Sequence, residues 1–260
     1  MKAALLIIGA VAKITGKFEL PGQLYRPGEY VNYTAVYNAL HEHIIQANPS
    51  WEIDTFMHGW NQDLQEPLVS LYQPKAYRFD DNDQYRGMIE TKVSEACGEP
   101  RGFSLASLCL TIKFGCELVE QYVNNTQTSY DLIIITRPDI LVWKNFKLDS
   151  YNPSMVTLDN YQDYRGEMHF IMSYENMLRF KNLFDSISKE LPAQHHNLFK
   201  DYLFNYMRVP VAQDDIVAGE DEAPMRYIYT SMIASGKIPL STLNRYGITD
   251  EQAKTYTVIY

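Results

Sequence analysis

The sequence has few cysteines, no concentrated basic charge and no long apolar run, and each shortage excludes a class of protein. Only three cysteines occur in 260 residues, so no disulfide framework is indicated, and the cytoplasm (of the host, for a viral chain) is the expected location. With 23 basic and 32 acidic residues the formal net charge is -9, and no Lys/Arg cluster could neutralise nucleic-acid phosphates. No window approaches the roughly 18 apolar residues of a membrane span. We therefore expect no nucleic-acid partner and no transmembrane segment.

Several nucleotide-binding and catalytic motifs are missing as well. The chain contains neither GxxxxGK[ST] nor GxSxG, and its first apolar run ends in IIGAVAKITG instead of GxGxxG. A P-loop NTPase is therefore not indicated, and the dinucleotide-binding and methyl-donor types of Rossmann protein are disfavoured. His41 with His43, and the pair His195 and His196, lack the spacing of a zinc ligand set.

What the sequence does contain is an alternation of apolar runs with helical stripes. Lys2–Val11 is a nearly continuous apolar run, which is typical of a strand covered on both faces. The alternation predicts an α/β fold in which helices flank a mostly parallel central sheet, in a single domain. Functional residues should then gather beyond the carboxyl ends of the strands. Further strands are predicted in WEIDTFMHGW, KAYRFDD, YDLIIIT and EMHFIMS, and helices over 30–47, 103–122 and 197–207.

The segment YDLIIITRPDIL places a guanidinium, a proline and a carboxylate where a buried strand ends. Arg137 and Asp139 have two interpretations, namely a solvated turn with a weak ion pair or the floor of an active site. Pro138 favours the second, because it fixes its own φ and pushes Arg137 toward an extended conformation. The two opposite charges are then held in a fixed relation that suits a metal diphosphate. One carboxylate, completed by waters and phosphate oxygens, is an adequate Mg²⁺ or Mn²⁺ site.

Four segments, in the same order, resemble GT-A-type glycosyltransferases of bacterial surface-polysaccharide loci and large DNA viruses. YDLIIITRPDIL is similar to their YDxVIRxRPDxL, and WEIDTFMHGWNQDLQEPLVSLYQPKAYRFDD to a strand ending in H-[SG]-W-[NS] that precedes LYxPKxYxF. GEMHFIMSYENM resembles NDQFAIGSPEDM, and HHNLFKDYLFNYMRVPV resembles PExLLxxYLxxxxIxV. The matches run from the first strand to about residue 211, roughly four-fifths of the chain.

This resemblance implies one GT-A-like (Rossmann-like) catalytic domain over 1–260, with a nucleotide-sugar-binding half at 1–125 and a metal and acceptor half at 126–260. It implies a nucleoside diphosphate sugar donor, with uridine or guanosine, and a glycan or glycoprotein hydroxyl as acceptor. In GT-A enzymes an Asp-x-Asp after the central strand binds the divalent metal, Mn²⁺ or Mg²⁺. Arg137, Pro138 and Asp139 occupy that place, so only the second Asp, the implied metal ligand, is retained. Arg137 can neutralise the diphosphate itself.

The catalytic base is expected just before a later strand. For inversion, a carboxylate has to deprotonate the acceptor hydroxyl while the diphosphate leaves from the opposite face. The Asp of NDQFAIG corresponds to Glu167, which makes Glu167 the candidate base beside the metal-side Asp139. Asp159, Asp163 and His169 are acceptor-side neighbours able to replace it. The structural alternative for Glu167 is a surface residue that starts a strand.

The donor-binding residues are expected at the ends of the first strands. Gly9 allows the backbone to approach a base or ribose, and the amide of Val11 can supply an edge contact. Lys13 stands close to the Arg of a GQxR found in similar proteins, and Ser104 either caps a helix or donates to phosphate. The predicted donor-binding set is Gly9, Ala10, Val11, Lys13, His58, Arg78, Asp80, Ser104, Arg137 and Pro138.

Two other functions stay open on the sequence. Because one Asp of the metal pair is missing, a nucleotide-sugar-binding protein that has lost catalysis is the alternative. A Rossmann methyltransferase is the third hypothesis, and the missing glycine pattern disfavours it.

Overall fold

The fold is built on a central sheet of seven strands with a small two-stranded sheet beside it. The structure is a computed structural model, and it describes residues 1–13, 30–97, 102–193, 197–225 and 238–249. The strands are β1 (Lys2–Gly9), β2 (Glu52–Gly59), β3 (Ala76–Phe79), β4 (Leu132–Thr136), β5 (Ile140–Val142), β6 (Val156–Asn160), β7 (His169–Met172), β8 (Val211–Val217) and β9 (Glu222–Pro224). The central order is β3-β2-β1-β4-β7-β6-β8, and β5 pairs with β9.

Helices cover both faces of the central sheet. They are α1 (Tyr33–Leu40), α2 (Gln65–Tyr72), α3 (Asn82–Cys97), α4 (Phe103–Thr126), α5 (Tyr174–Phe180), α6 (Leu183–Ser186), α7 (Asn197–Asp201) and α8 (Leu240–Arg245). Helices α1, α2 and α8 pack with β1 residues such as Leu5 and Ile7, whereas α3 to α7 pack on the other face with Leu6 and Ile8. This alternation along β1 confirms the predicted α/β fold, a mostly parallel, Rossmann-like sheet flanked by helices.

The direction of the strands creates a crevice at one edge of the sheet. β2 and β3 extend from one side of β1, and β4 lies on its other side, with all four strands parallel. The winding therefore reverses between β1 and β4, and such a switch point opens a crevice outside the carboxyl ends of the strands. β7 is antiparallel to β4, so its amino end at His169 pairs with Thr136 at the carboxyl end of β4.

The helix predictions are correct in position and differ at the ends. The predicted helix 30–47 begins at Tyr33, after the side chain of Asn32 accepts from a first-turn amide, and it continues as the π-helix His41–Gln46. The prediction that Ser104 caps α4 is wrong. Gly102 is the N-cap there, at a φ of 103° that favours glycine, and Ser104 is exposed.

Helix α3 and strands β8 and β9 are among the elements that were not predicted from the sequence. Helix α3 buries only Ile89, Val93 and Ala96 among its 16 residues, so its apolar stripe is narrow. β8 contains two consecutive aspartates, which are unfavourable in strands, and β9 has only three residues. The pair His195 and His196 lies outside the described residues.

Among the helices that the structure describes, none has both the length and the apolar character required to cross a membrane.

Candidate functional site

The loops that follow β1 and β4 leave the sheet side by side at the switch point. The parallel register pairs Ile7 with Thr136, so Gly9–Val11 and Arg137–Asp139 follow as neighbours. The amide of Trp60 donates to the carbonyl of Gly9 at 3.2 Å, which extends the contact between β1 and β2 beyond the strands. The ends of β1, β2, β3 and β4 therefore form one continuous edge, which carries most of the predicted donor-binding residues.

Arg137 and Asp139 form a two-point ion pair at this edge. Nε of Arg137 donates to Oδ1 at 2.9 Å, and Nη2 donates to Oδ2 at 2.8 Å. The Asp139 side chain is 1% exposed and the Arg137 side chain 14%, and Pro138 between them is buried. The pair is therefore part of the interior and not a solvated turn. Both oxygens of Asp139 accept from the guanidinium, so Asp139 does not fit the role of metal ligand in this arrangement.

At the ends of β2 and β3, a histidine and an arginine share one carboxylate. His58 Nε2 donates to Oδ2 of Asp80 at 3.0 Å, and Nδ1 lies 2.5 Å from the hydroxyl of Thr111. Nε of Arg78 reaches the same Oδ2 at 2.6 Å, and its guanidinium lies 4.1 Å from the Phe114 ring centroid. Burial lowers the pKa of His58 to about 4 against the opposing effect of Asp80. His58 is thus a neutral, fully buried residue that orients Asp80.

The first loop has the expected glycine geometry but not the expected free amide. Gly9 has a φ of 99°, in the region that favours glycine. The amide of Val11 donates to Oδ1 of Asn61 at 2.7 Å, so the protein itself occupies the group that was expected to contact a nucleotide. The ammonium of Lys13 lies 4.7 Å from the ring centroid of Tyr30.

Glu167 lies in the segment that leads into β7, two residues before the strand begins. Glu167 is half-buried. The pKa of the Cys109 thiol on α4 is raised mainly by the burial of that thiol and, to a smaller extent, by the charge of Glu167. Asp163 is exposed in the preceding turn, at a φ of 53°. Ala10 and Ser104, the remaining predicted donor-binding residues, are exposed.

A second group of predicted residues belongs to a buried cluster of three carboxylates around one imidazole. Nδ1 of His169 lies 3.0 Å from both carboxylate oxygens of Glu222, and Nε2 lies 3.0 Å from Oδ2 of Asp214. Oδ1 of Asp159 accepts from the amide of Met168 at 2.9 Å. Asp159, His169 and Glu222 have no exposed surface. Asp159 and His169 were expected on the acceptor side, but they are interior residues that an acceptor cannot reach in this arrangement.

The electrostatics of this buried cluster stabilise a charged imidazole. Burial opposes the imidazolium, but the charge of Glu222 and the hydrogen bonds to Asp214 and Glu222 raise the pKa of His169 well above its usual value. Burial raises the pKa of Glu222 to about 7 and also raises that of Asp159, although His169 opposes both effects. For Asp214, the effect of burial is outweighed by His169 and by the Tyr151 hydroxyl, which donates at 2.6 Å, so its pKa is lowered.

Asp159, His169 and Glu222 have the donor chemistry and the spacing to hold a metal ion. Each offers one ligand atom, and the three atoms lie within 4.8 Å of one another. Two carboxylates and one imidazole form a mixed oxygen and nitrogen set of the kind that binds divalent ions.

Sequence reasoning missed Asp214, Glu222 and Asn61. Glu222 lies in GEDEAP, which has the pattern of a solvated acidic turn. Asp214 lies in VAQDDIV, where its spacing of two residues from the buried Ile216 was the available signal for an inward-facing carboxylate. Asn61 is the last position of the H-[SG]-W-[NS] motif, but the motif does not indicate that its side chain accepts from the Val11 amide.

A separate cleft of about 260 Å³ opens between α1 and α2. Tyr37, His41, Asp54, Tyr72 and Lys75 are among its lining residues. Asp54 and Lys75 belong to the amino ends of β2 and β3, so the cleft lies at the opposite end of these strands from the predicted donor-binding residues.

The fold and the edge residues together define an α/β protein of Rossmann-like type with a switch-point crevice. Comparison of the chain with protein-family models finds no match, and comparison with curated proteins finds none either.

Proposed function

We propose that the chain is a glycosyltransferase, which moves a sugar from a nucleoside diphosphate sugar to a hydroxyl of a glycan or glycoprotein. The observation that carries this proposal is the parallel pairing of β1 with β4, which directs Gly9 and Arg137 toward the same switch-point crevice. Open α/β sheets bind their ligands in that crevice. There, a glycine that lets a ligand approach the backbone stands beside an oriented guanidinium, which suits a nucleotide with a diphosphate. The four-motif resemblance to GT-A enzymes supports the same activity.

Arg137 is assigned to the donor diphosphate, and Arg78, which lies three strands away on β3, is assigned to the ribose or base of the donor. Asp139 orients Arg137 through two hydrogen bonds, and Asp80 and the ring of Phe114 orient Arg78. Side chains that are already ordered lose less conformational entropy when a ligand binds. A planar guanidinium also matches the geometry of phosphate oxygens. The choice of uridine or guanosine rests on the resemblance alone.

Glu167 is assigned as the general base of an inverting transfer. Its carboxylate takes the proton of the acceptor hydroxyl, and the hydroxyl oxygen forms a bond to the anomeric carbon. The bond between that carbon and the diphosphate oxygen breaks, and the electron pair leaves with the diphosphate, whose charge Arg137 stabilises. General-base catalysis of this kind typically contributes about 10²–10⁴ in rate.

No step of this mechanism passes through a metal at Asp139. Arg137 already compensates the buried charge of Asp139 through two hydrogen bonds. Arg137 is assigned the neutralisation of the diphosphate charge, which the divalent metal performs in enzymes with an Asp-x-Asp.

A nucleotide-sugar-binding protein without turnover is the second candidate function. It is favoured by the same engagement of Asp139, because a residue expected in catalysis is tied into an internal ion pair. This candidate shares the donor site with the first and differs from it only in the chemical step.

The binding half of the proposal is tested by thermal unfolding with a panel of nucleoside diphosphate sugars, with and without Mn²⁺. We expect at least one uridine or guanosine diphosphate sugar to raise the melting temperature. If none does, the proposal fails, and stabilisation by S-adenosylmethionine instead would favour the methyltransferase.

Arg137→Lys tests the role of the guanidinium, because it keeps the charge and removes the two-point geometry. We expect donor affinity to fall about tenfold, as for the loss of one charge-assisted hydrogen bond. Arg86→Lys is the matched control, since Arg86 also binds an aspartate through Nε and Nη2 but is exposed on α3. Equal affinities of the two variants would contradict the assignment.

Glu167→Gln tests the chemical step. Release of the nucleoside diphosphate in the presence of acceptor should fall by about 10²–10⁴ while donor binding is retained. Glu175→Gln, at an exposed position on α5, is the control and should keep its turnover. If the wild-type chain binds the donor but shows no turnover, the second candidate function, nucleotide-sugar binding without catalysis, is the one supported.

A further inference from the structure

The buried cluster of Asp159, His169, Asp214 and Glu222 contains more carboxylate charge than its surroundings compensate. Three carboxylates face one imidazole, and even a fully charged imidazole leaves an excess of negative charge. Among the residues that the structure describes, no Lys or Arg forms an ion pair with any of the three carboxylates. Buried charges in proteins are normally paired or bound to a metal. Within the described part of the chain, the cluster therefore lacks a compensating cation.

One oxygen of this cluster has no partner. Oδ2 of Asp159 is buried and makes no hydrogen bond among the described residues, whereas Oδ1 accepts from the amide of Met168. Gly166 packs so closely against this carboxylate that a Cβ there would lie 2.4 Å from Oδ1. A buried carboxylate oxygen without a donor costs free energy unless another group, such as an ion, satisfies it.

The Nε2 atom of His169, which points away from Glu222, has the kind of partner that is found in metal sites. Nε2 of His169 lies 3.0 Å from Asp214, and the hydroxyl of Tyr151 donates to the same Asp214 oxygen at 2.6 Å. Histidines that bind metals typically donate their other ring N–H to a carboxylate, which fixes the orientation of the ring. Nδ1 then faces Glu222 at 3.0 Å, close to the separation of two neighbouring ligand atoms on one ion.

We infer that Asp159, His169 and Glu222 bind one divalent transition-metal ion, and that Asp214 and Tyr151 position the imidazole ring. Nδ1 of His169 lies 3.0 Å from the Glu222 oxygens, and the Asp159 oxygen completes a set whose atoms all lie within 4.8 Å of one another. An imidazole together with two carboxylates suits Mn²⁺, Fe²⁺ or Zn²⁺ better than Mg²⁺, which prefers oxygen ligands and retains its waters. The inference does not depend on the proposed transferase activity.

This site differs from the metal position that the GT-A resemblance implies. The resemblance implies Asp139, whose oxygens are both bonded to Arg137. The buried cluster comes instead from β6, β7, β9 and, through Asp214, β8. The two positions therefore make opposite predictions for two conservative variants.

The test measures metal binding by the chelator-treated chain, without nucleotide or acceptor. Mn²⁺ and Zn²⁺ are titrated calorimetrically, the bound metal is counted by mass spectrometry after dialysis, and thermal unfolding is followed with and without each ion. We expect about one ion per chain and a higher melting temperature, because an ion that binds only the folded state stabilises it.

Three variants locate the ion. Asp159→Asn should lower the affinity by more than about 100-fold, and Asp214→Asn by about 10–100-fold, as is typical of outer-shell partners. Asp139→Asn is the matched control and should bind as the wild type does. Circular dichroism verifies that each variant is folded.

A spectrum of the unaltered chain makes the test independent of the variants. With Mn²⁺ bound, electron spin-echo spectra should show coupling to an imidazole nitrogen, which Asp139 and its neighbours in sequence cannot supply. A folded wild-type chain that binds neither ion would overturn the inference. Loss of binding in Asp139→Asn, or a spectrum without nitrogen coupling, would overturn it as well. None of these outcomes concerns donor binding, so a failure here is distinguishable from a failure of the transferase proposal.

Discussion

His58 and His169 are both completely buried and both contact carboxylates, yet their charge states are opposite. His58 shares Asp80 with Arg78, so burial prevails and the pKa of His58 falls to about 4. His169 lies between Asp214 and Glu222, where the described residues contribute no competing cation, and its pKa rises well above the usual value. The comparison shows that the balance of neighbouring charges, and not burial alone, decides whether an interior histidine carries a proton.

The largest expected loss of stability comes from replacing His169, the charged histidine of the two. His169→Gln leaves three buried carboxylates without their imidazole, and we expect a loss of about 3–5 kcal/mol in the free energy of unfolding. His58→Gln removes a neutral residue from a hydrogen-bonded position and should cost about 1–3 kcal/mol. Urea unfolding at neutral pH, in the presence of chelator, measures both. Equal losses would show that the two environments do not differ as described.

The next effect is the pH dependence of stability that the lowered pKa of His58 contributes. Its pKa is about 4 in the folded chain and 6.5 for an unperturbed histidine, as in the unfolded chain, so between these values the unfolded chain binds more protons. The contribution to stability is complete above pH 6.5 and is lost as the pH falls toward 4, by about 3 kcal/mol in total. The difference in unfolding free energy between wild type and His58→Gln, followed over this window, measures it. Two parallel pH profiles would contradict the lowered pKa.

Gly166→Ala perturbs the packing around Asp159, one of the carboxylates near His169, without changing any charge. The new Cβ would lie 2.4 Å from Oδ1 of Asp159, so we expect destabilisation of about 1–3 kcal/mol in thermal or urea unfolding. Gly87→Ala is the matched control, because nothing lies within 4 Å of a Cβ at this exposed position on α3. That variant should be more stable than the wild type by about 0.5–1 kcal/mol. Similar behaviour of the two variants would show that the contact at Gly166 is not tight.

The smallest expected effect is a change in the pKa of His58. Arg78→Met removes the cation that competes for Asp80, so the pKa of His58 should rise. A proton NMR titration of the imidazole detects the change, and Arg86→Met, on an exposed part of α3, should leave it unaltered. An unchanged pKa in Arg78→Met would mean that burial alone determines the charge of His58.

Much of the fold could be predicted from the sequence because its main strands are buried on both faces. β1 and β4 are nearly continuous apolar runs, and their neighbours follow from the alternation with helices. Helix α3 could not be predicted because its buried stripe is narrow, and β8 and β9 could not because their carboxylates suggest solvent. In both strands, tertiary contacts with His169 satisfy an acidic residue, Asp214 in β8 and Glu222 in β9.

The site was predicted less completely, for a similar reason. The position of Arg137 and Asp139 at a strand end is a property of local sequence, and it indicated the switch-point edge. The order of residues does not specify the side-chain geometry. It therefore could not predict that Arg137 donates to Asp139, or that the amide of Val11 donates to Asn61. The cluster around His169 joins residues from Asp159 to Glu222, which belong to different strands, and no local pattern links them.

The pairing of Thr136 with His169 places the two sites on adjacent strands, about 5 Å apart at the backbone. A dication bound by the buried cluster would therefore add positive potential beside the crevice that is assigned to the donor diphosphate. Thermodynamic linkage then requires reciprocity, in which nucleotide binding strengthens metal binding by the same factor as metal binding strengthens nucleotide binding. Such a coupling between the two proposed sites, which share no ligand, would act through the antiparallel strand β7.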